Sequence, residues 1–383
     1  VSSAEIPIAL ISTATRWLGT ARMPRSLAQA GFAVALLAPE GSLALHAHHF
    51  RDVQQVSAQA TPMQWLEALV ALVDRAAPQL LVPCDEMANR LLFSLVLEQP
   101  AGIALDVHTR LVRLITNSLG DPTHYLTTID KTRLPDAAAA LGVRVPAHAI
   151  ARSEGEALAF AAANGYPVVV KRRFGFAGQG VVVASTPREV AQAFATLGAP
   201  DQLDLGEDRA RELLVQRFMR GSHQSQAVVA SNGECLCAFA WERYRATAKD
   251  KGQTTVLRFV DSPRARESTI RLMRGFGISG FVSAQFIVTD DGEAWLLEIN
   301  RRIVTHLHTG ERVGADLARV LYRKLTGATD SPNARRPPSP FVTVFPREWL
   351  RDPESADLRA YPVDVPWDEP ELFAAMLAMR RET

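Results

Sequence analysis

Residues 281–300 read FVSAQFIVTDDGEAWLLEIN. Two apolar runs flank Asp291-Gly292, a strong short-range signal for a β-hairpin. With Asp291-Gly292 as a two-residue turn, Asp290 faces Glu293. Counting back along both strands then sets Gln285 opposite Glu298 and Ser283 opposite Asn300. Residues paired this way have Cβ atoms about 4.5–5.5 Å apart. Side chains alternate between the two faces, so Gln285, Glu298 and Asn300 share one of them. One carboxylate and two carboxamides in so small an area are hard oxygen donors, suited to Mg²⁺ (or Mn²⁺). Such an ion takes one or two carboxylates and completes its shell with substrate phosphates. A solvated polar patch is the plainer reading. Against it, Glu298 lies among Trp295, Leu296, Leu297 and Ile299, where an uncompensated carboxylate is costly.

Upstream, residues 167–185 read PVVVKRRFGFAGQGVVVAS. Valine-rich runs on both sides make this a hairpin rather than a strand-to-helix phosphate loop, and it lacks the Lys-Ser/Thr pair of one. Gly175, Gly178 and Gly180 leave the tip with bare amides and no side chains to hold a ligand away. Folded over a polyphosphate, such amides form charge-assisted bonds of about 1.5–3 kcal/mol each. Lys171, at the end of the first strand, would meet a phosphate as a point charge. Protein kinases also cover phosphates with a strand–loop–strand, but no H-R-D or D-F-G follows here.

Outward from these stretches the chain divides into three. Residues 1–120 alternate apolar strands (IPIALIST, AVALLAP, QLLVPCDE) with helical segments, which implies parallel βαβ units. The first strand-to-helix turn, STATRWLG, lacks G-x-G-x-x-G, so a dinucleotide site of the usual kind is not expected. Residues 121–330 open with THYLTTIDKTRLPDAAAALG, read as one helix ending at Gly142, and continue into mainly antiparallel strands. The Pro- and Arg-rich DSPNARRPPSP then leads into a tail over 331–383. The predicted class is therefore α/β followed by α+β. With 47% apolar residues, 22% charged residues and net charge +1, nothing draws the chain to nucleic acid or anionic lipid. No apolar run spans a bilayer, no export signal is visible, and three irregularly spaced cysteines fit a reducing cytoplasm.

The glycine hairpin and the carboxylate hairpin, in this order, resemble the ATP-grasp superfamily, over roughly Asp130 to Gly314. The pattern is most similar to the carbamoyl phosphate synthetase large-subunit and carboxylate–amine ligase branches. The resemblance implies a Rossmann-like (pre-ATP-grasp) domain followed by two α+β subdomains that clamp ATP, the first of them a lid over about 145–217. It implies that Lys131 and Lys171 bind nucleotide, that Gly175, Gly178, Gln179 and Gly180 form the phosphate flap, and that Gln216, Arg217, Phe218 and Met219 form the adenine hinge. Gln285, Glu298 and Asn300 match the metal set, and the family's arginine after EIN falls at Arg302. Where many relatives place a ribose-binding Glu, RGSHQSQ offers Gln224 and Gln226. The strand QTTVLR lacks the His that carbamoyl phosphate synthetase and biotin carboxylase carry.

The resemblance thus implies an ATP- and Mg²⁺-dependent ligase that joins a small carboxylate to an amine through an acyl phosphate, with a homodimer as the assembly considered. Bicarbonate phosphorylation and a non-catalytic ATP-binding regulator stand as alternatives. From WERYRATAKDKGQ and the strand after it, Lys251 and Arg258 are read as substrate-binding cations. His306 and His308 share a face if extended, and Cys235 and Cys237 share a strand face as small buried residues. Cys84 lies at the carboxyl end of a strand, where α/β sheets bind ligands, without a His motif beside it.

Overall fold

The structure, a computed structural model, describes residues 6–175, 178, 180–199, 212–248, 252–329 and 339–379. The chain opens with four parallel strands, β1 (Ile8–Ser12), β2 (Ala33–Pro39), β3 (Asp52–Val56) and β4 (Leu80–Pro83), in the order β3-β2-β1-β4. Buried side chains fill central strands β1 and β2 and also β4 at one edge, as strands covered on both faces require. β3, DVQQV, alternates half-buried and exposed residues at the edge, a polarity that hides it from a search for apolar runs.

The stretch 123–142 is not one helix. Asp130 turns extended, and its carboxylate accepts from Thr132 N (2.8 Å), Thr132 Oγ1 (2.6 Å) and Arg173 Nη2 (2.8 Å). These bonds offer the backbone an alternative to the helix. Short helices Tyr125–Ile129 and Leu134–Ala140 remain on either side, with Lys131 in the break.

Two antiparallel sheets follow. The lid sheet holds β5 (His148–Ala151), β6 (Val168–Arg172), β7 (Val181–Ala184) and β8 (Leu213–Arg217) in the order β5-β8-β6-β7. Helices Glu154–Asn164 and Pro187–Leu197 pack on one of its faces. The central sheet holds β9 (Ser222–Ser231), β10 (Glu234–Ala246), β11 (Thr254–Val260), β12 (Gly280–Val288), β13 (Ala294–Asn300) and β14 (Phe341–Thr343), in the order β13-β12-β9-β10-β11-β14. One face of the central sheet rests on helices Leu134–Ala140 and Pro263–Gly275. Part of the other, through Ala227, Val229, Phe239 and Phe281, joins the core shared by helices Met23–Ala30 and Leu317–Thr326 and by β1, β2 and β4.

The β12–β13 hairpin departs from the expected turn. Thr289 N donates to Glu293 O (3.0 Å), Gly292 N donates to Thr289 O (2.8 Å), and Gly292 has φ +80°. The loop is therefore three residues, Asp290 to Gly292, closed by a left-handed glycine. That moves the register by one, so Phe286 faces Leu296. A bulge at Leu297 then moves it back, and Gln285 faces Glu298 while Ser283 faces Asn300. Two irregularities cancel. A second bulge, at Leu236, separates Cys235 and Cys237 into different layers, which strict alternation does not foresee.

Candidate active site

A cavity of about 670 Å³ lies between the free face of the lid sheet and the central sheet. Val169, Lys171 and Gln216 line it from the lid; Ser225, Gln285, Ile287, Leu297, Glu298 and Asn300 line it from below. The bulge explains how neighbours Leu297 and Glu298 both reach the cavity while Leu296 and Ile299 stay in the core.

Glu298 is the centre of charge. Lys131 Nζ stands 3.6 Å from its Oε2, and Asn300 Nδ2 donates to its Oε1 at 3.3 Å. Burial alone would raise its pKa. Lys131 and Lys171, the bond from Asn300 and the charge of Arg302 outweigh that and hold the carboxyl below the usual range. Burial also brings Lys171 down to about 8, with Glu298 opposing and Lys131 adding to the fall. Arg302 donates from Nη2 to Asn300 Oδ1 (3.1 Å) and from Nε to Glu86 Oε1 (2.8 Å), and its guanidinium lies 4.7 Å over the Trp17 ring. Glu86 follows β4 and Trp17 follows β1, so the carboxyl ends of the parallel strands hold this arginine in place. The metal set is oxygen-only, one carboxylate and two carboxamides on one face, which fits a hard divalent cation bound together with phosphates.

The other sequence-derived residues fall as follows. Gln216, Arg217, Phe218 and Met219 all line the cavity, and both amide atoms of buried Gln216 lack a protein partner. Valines 169, 181 and 183 above and Ile287 and Leu297 below give this end an apolar slot. Gly175 O accepts from Lys131 Nζ at 3.0 Å. Gly178 and Gly180 have φ of +80° and +72°, so a side chain at either is strained. Gln179 and Lys251 lie outside the described residues.

Two residues lie elsewhere. Gln224 pairs with Phe286 and Glu242 across the strands and so faces the opposite layer, its Nε2 donating to Ser222 Oγ at 3.3 Å. His223 and Ser225 face the cavity instead. Arg258 sits on that same opposite face, 2.7 Å from Glu242. Their cross-strand pairing, a cation opposite an anion, is the signal that could have set Arg258 aside. His306 lines the cavity, whereas His308 leaves it for Asp364 (2.8 Å). Cys84 is fully buried, and burial pushes its thiol well above the ordinary range, so it is inert. Trp17, Glu86, Trp241, Arg243 and Arg347 were not foreseen. Of these, Arg243 was legible, since it lies two residues past Trp241 on one strand face.

A glycine-tipped lid hairpin closing over a sheet that carries Glu-x-Asn, with lysines from both sides, defines the ATP-grasp class. Within it, the profile of the carbamoyl-phosphate synthase L chain, ATP binding domain, matches residues 130–329, and the chain belongs to that family. The arginine-specific large chain of carbamoyl phosphate synthase from Oryza sativa subsp. japonica is 25% identical over 198 residues, 49% of this chain and 16% of that protein. The matched part of the chain thus spans 16%, 19% and 28% of three of the curated relatives, under a third of each. The biotin carboxylase domain dimer of Hydrogenobacter thermophilus 2-oxoglutarate carboxylase, solved with MgADP, ADP and bicarbonate, superposes with TM-score 0.62 at 17% identity, covering 86% of this chain and 71% of that one. The N5-carboxyaminoimidazole synthetase of Staphylococcus aureus with ADP gives TM-score 0.61 at 15% identity, covering 85% and 79%. Among the described residues no helix is long and apolar enough to cross a membrane.

Proposed function

We propose that the protein is an ATP-dependent carboxylate–amine ligase, forming an amide through an acyl phosphate and releasing ADP and phosphate. The observation that carries this reading is the charge of the cavity. Among its described lining residues Glu298 is the sole carboxylate, set among Lys171, Arg217, Arg243, Arg302 and Arg347. Such a cavity attracts polyanions and leaves cations over for a second, acidic substrate.

In this reading the adenine lies in the apolar slot against Gln216 and the hinge backbone. Lys131, Lys171 and the flap amides hold the phosphates. Gln285, Glu298 and Asn300 would hold Mg²⁺, which supplies charge neutralisation on the phosphates. A substrate carboxylate oxygen attacks the γ-phosphorus as the bond to the β–γ bridging oxygen breaks, and ADP leaves. The amine then adds to the acyl carbon, phosphate departs, and the amine proton passes to solvent. Arg302, fixed by Glu86 and Asn300, stabilises the charge developing on the acyl group.

A phosphate-release screen over amino acids and small carboxylates, with mass spectrometry of the products, tests the reading. An amide product is expected. Glu298→Gln should cut turnover at least about a hundredfold in a folded protein, and wild-type turnover in that variant would sink the metal assignment. The relatives favour a second reading, phosphorylation of bicarbonate. ADP release stimulated by bicarbonate with no other acid present would select it. ATP binding without hydrolysis across the panel would instead mark a regulator.

A further inference from the structure

One end of the cavity is built of groups that the phosphoryl transfer leaves unused. β10 contributes Trp241 and Arg243, the segment after β13 contributes Thr305 and His306, and the helix after β14 contributes Arg347. Trp241, His306 and Arg347 are 5%, 5% and 8% exposed. Each of these residues, and Arg243, carries a buried nitrogen with no protein partner: Trp241 Nε1, Arg243 Nε, His306 Nδ1 and Arg347 Nε. Arg347 spends one Nη2 bond on Thr305 Oγ1 (2.9 Å), and the His306 ring stands edge-on to Trp241 at 5.6 Å. Neither Arg243 nor Arg347 forms an ion pair among the described residues, although the charge of Glu298 reaches Arg243. Arg302 differs from both, because it is bound to Glu86 and to Asn300 of the metal set.

A buried guanidinium (Arg347) and a half-buried one (Arg243), neither in an ion pair among the described residues, are costly unless a ligand brings the anion. The residues that carry these nitrogens come from three separate segments and line one cavity, and a guanidinium fork matches a planar oxyanion. Burial holds Arg347 down, at about 9, with Arg302 adding to the fall, as expected of a cation awaiting an anion.

We propose that Arg243, Arg347, His306 and Trp241 bind a second anionic group of the acid substrate, a carboxylate or phosphate distant from the carboxylate that is activated. The substrate is then a dianionic acid rather than a simple monocarboxylate. This rests on the ligase reading for the first carboxylate, so the test reads binding as well as turnover.

Calorimetry with Mg²⁺ and a non-hydrolysable ATP analogue compares butanoate with succinate, glutarate and 3-phosphonopropanoate. At least one dianion should bind about tenfold or more tighter than butanoate, since charge-assisted bidentate bonds are the strong ones. Whichever tail binds best identifies it as carboxylate or phosphate-like. Arg243→Gln should shrink that preference several-fold, and so should Arg347→Lys, which keeps the charge and loses the fork; if Arg347→Lys fails to fold, Arg243→Gln carries the test. Equal binding of mono- and dianions, no binding in any arm, or a preference unchanged by the variants overturns the proposal. A dianion preference without ADP release would leave this pocket standing and overturn the ligase reading. ADP release with monocarboxylates as efficient as with dianions would do the reverse.

Discussion

Lys171 is 6% exposed, and the carboxylate whose charge opposes its desolvation, Glu298, is shared with Lys131. Its pKa near 8 lies below the ordinary lysine value of about 10.4. Between those two values the unfolded chain binds more protons than the fold, so this side chain adds stability as pH rises through that window. Below about pH 8 both states are charged and the cost of burying the ammonium stands in full. A polyphosphate placed against Lys171 restores the proton. Nucleotide binding at about pH 9 should therefore take up protons, and at about pH 7 it should take up far fewer. Calorimetry in two buffers of different ionisation heat measures this, and Lys171→Met should abolish the uptake. Buffer-independent heats at the higher pH would mean that Lys171 does not meet the phosphates. The lysine itself was legible, as a cation at the mouth of a glycine hairpin. What it pairs with was less so, because Lys131 reaches Glu298 from a break in a helix that Asp130 creates with its own side chain.

At the level of the hairpin, the shared face of Gln285, Glu298 and Asn300 was reached through a turn that the chain does not use. Asp-Gly signalled the hairpin, but sequence alone cannot choose between a two-residue loop and a three-residue loop with a left-handed glycine, nor show that a bulge follows at Leu297. The pairing of Gln285 with Glu298 survived because the bulge offsets the longer loop. The bulge has a consequence that alternation would forbid, an apolar residue and the buried carboxylate of Glu298 side by side on the cavity wall. Leu297 forms the floor of the apolar slot with Ile287, across from Val169 and Val183. Covering a leucine with an adenine ring is worth about 1.5–3 kcal/mol at most. Leu297→Ala should accordingly raise KM for ATP about tenfold, with kcat little changed, since Glu298 keeps its place in the register. Steady-state kinetics at varied ATP distinguishes this from a shifted strand, which would lower kcat through displacement of Glu298.

Across the whole molecule, the cavity end proposed to take the acid substrate depends on segments far apart in sequence. Trp17 follows β1, Arg243 comes from β10 and Arg347 from the tail, and no local pattern announces that they line one cavity; Glu86, after β4, reaches it only through Arg302. Asp364 is one of the fastenings. It is 5% exposed, and its carboxylate accepts from Arg22 Nη2 (3.0 Å), between β1 and β2, and lies 2.8 Å from His308 Nε2, after β13. Burial would raise its pKa, but His308 and Arg22 outweigh that and hold it at about 2. The stability it confers is thus present above about pH 4 and lost as pH falls toward 2. Asp364→Asn leaves Arg22 buried without its counter-ion, a change that costs about 3–5 kcal/mol when a buried pair is broken. Because Arg347 sits in the same tail and lines the cavity, the loosened tail should weaken the acid substrate more than ATP. Urea denaturation of Asp364→Asn, with nucleotide and acid affinities measured on the folded fraction, reads both effects. A wild-type midpoint, or equal weakening of both ligands, would show that this carboxylate does not hold the tail against the site.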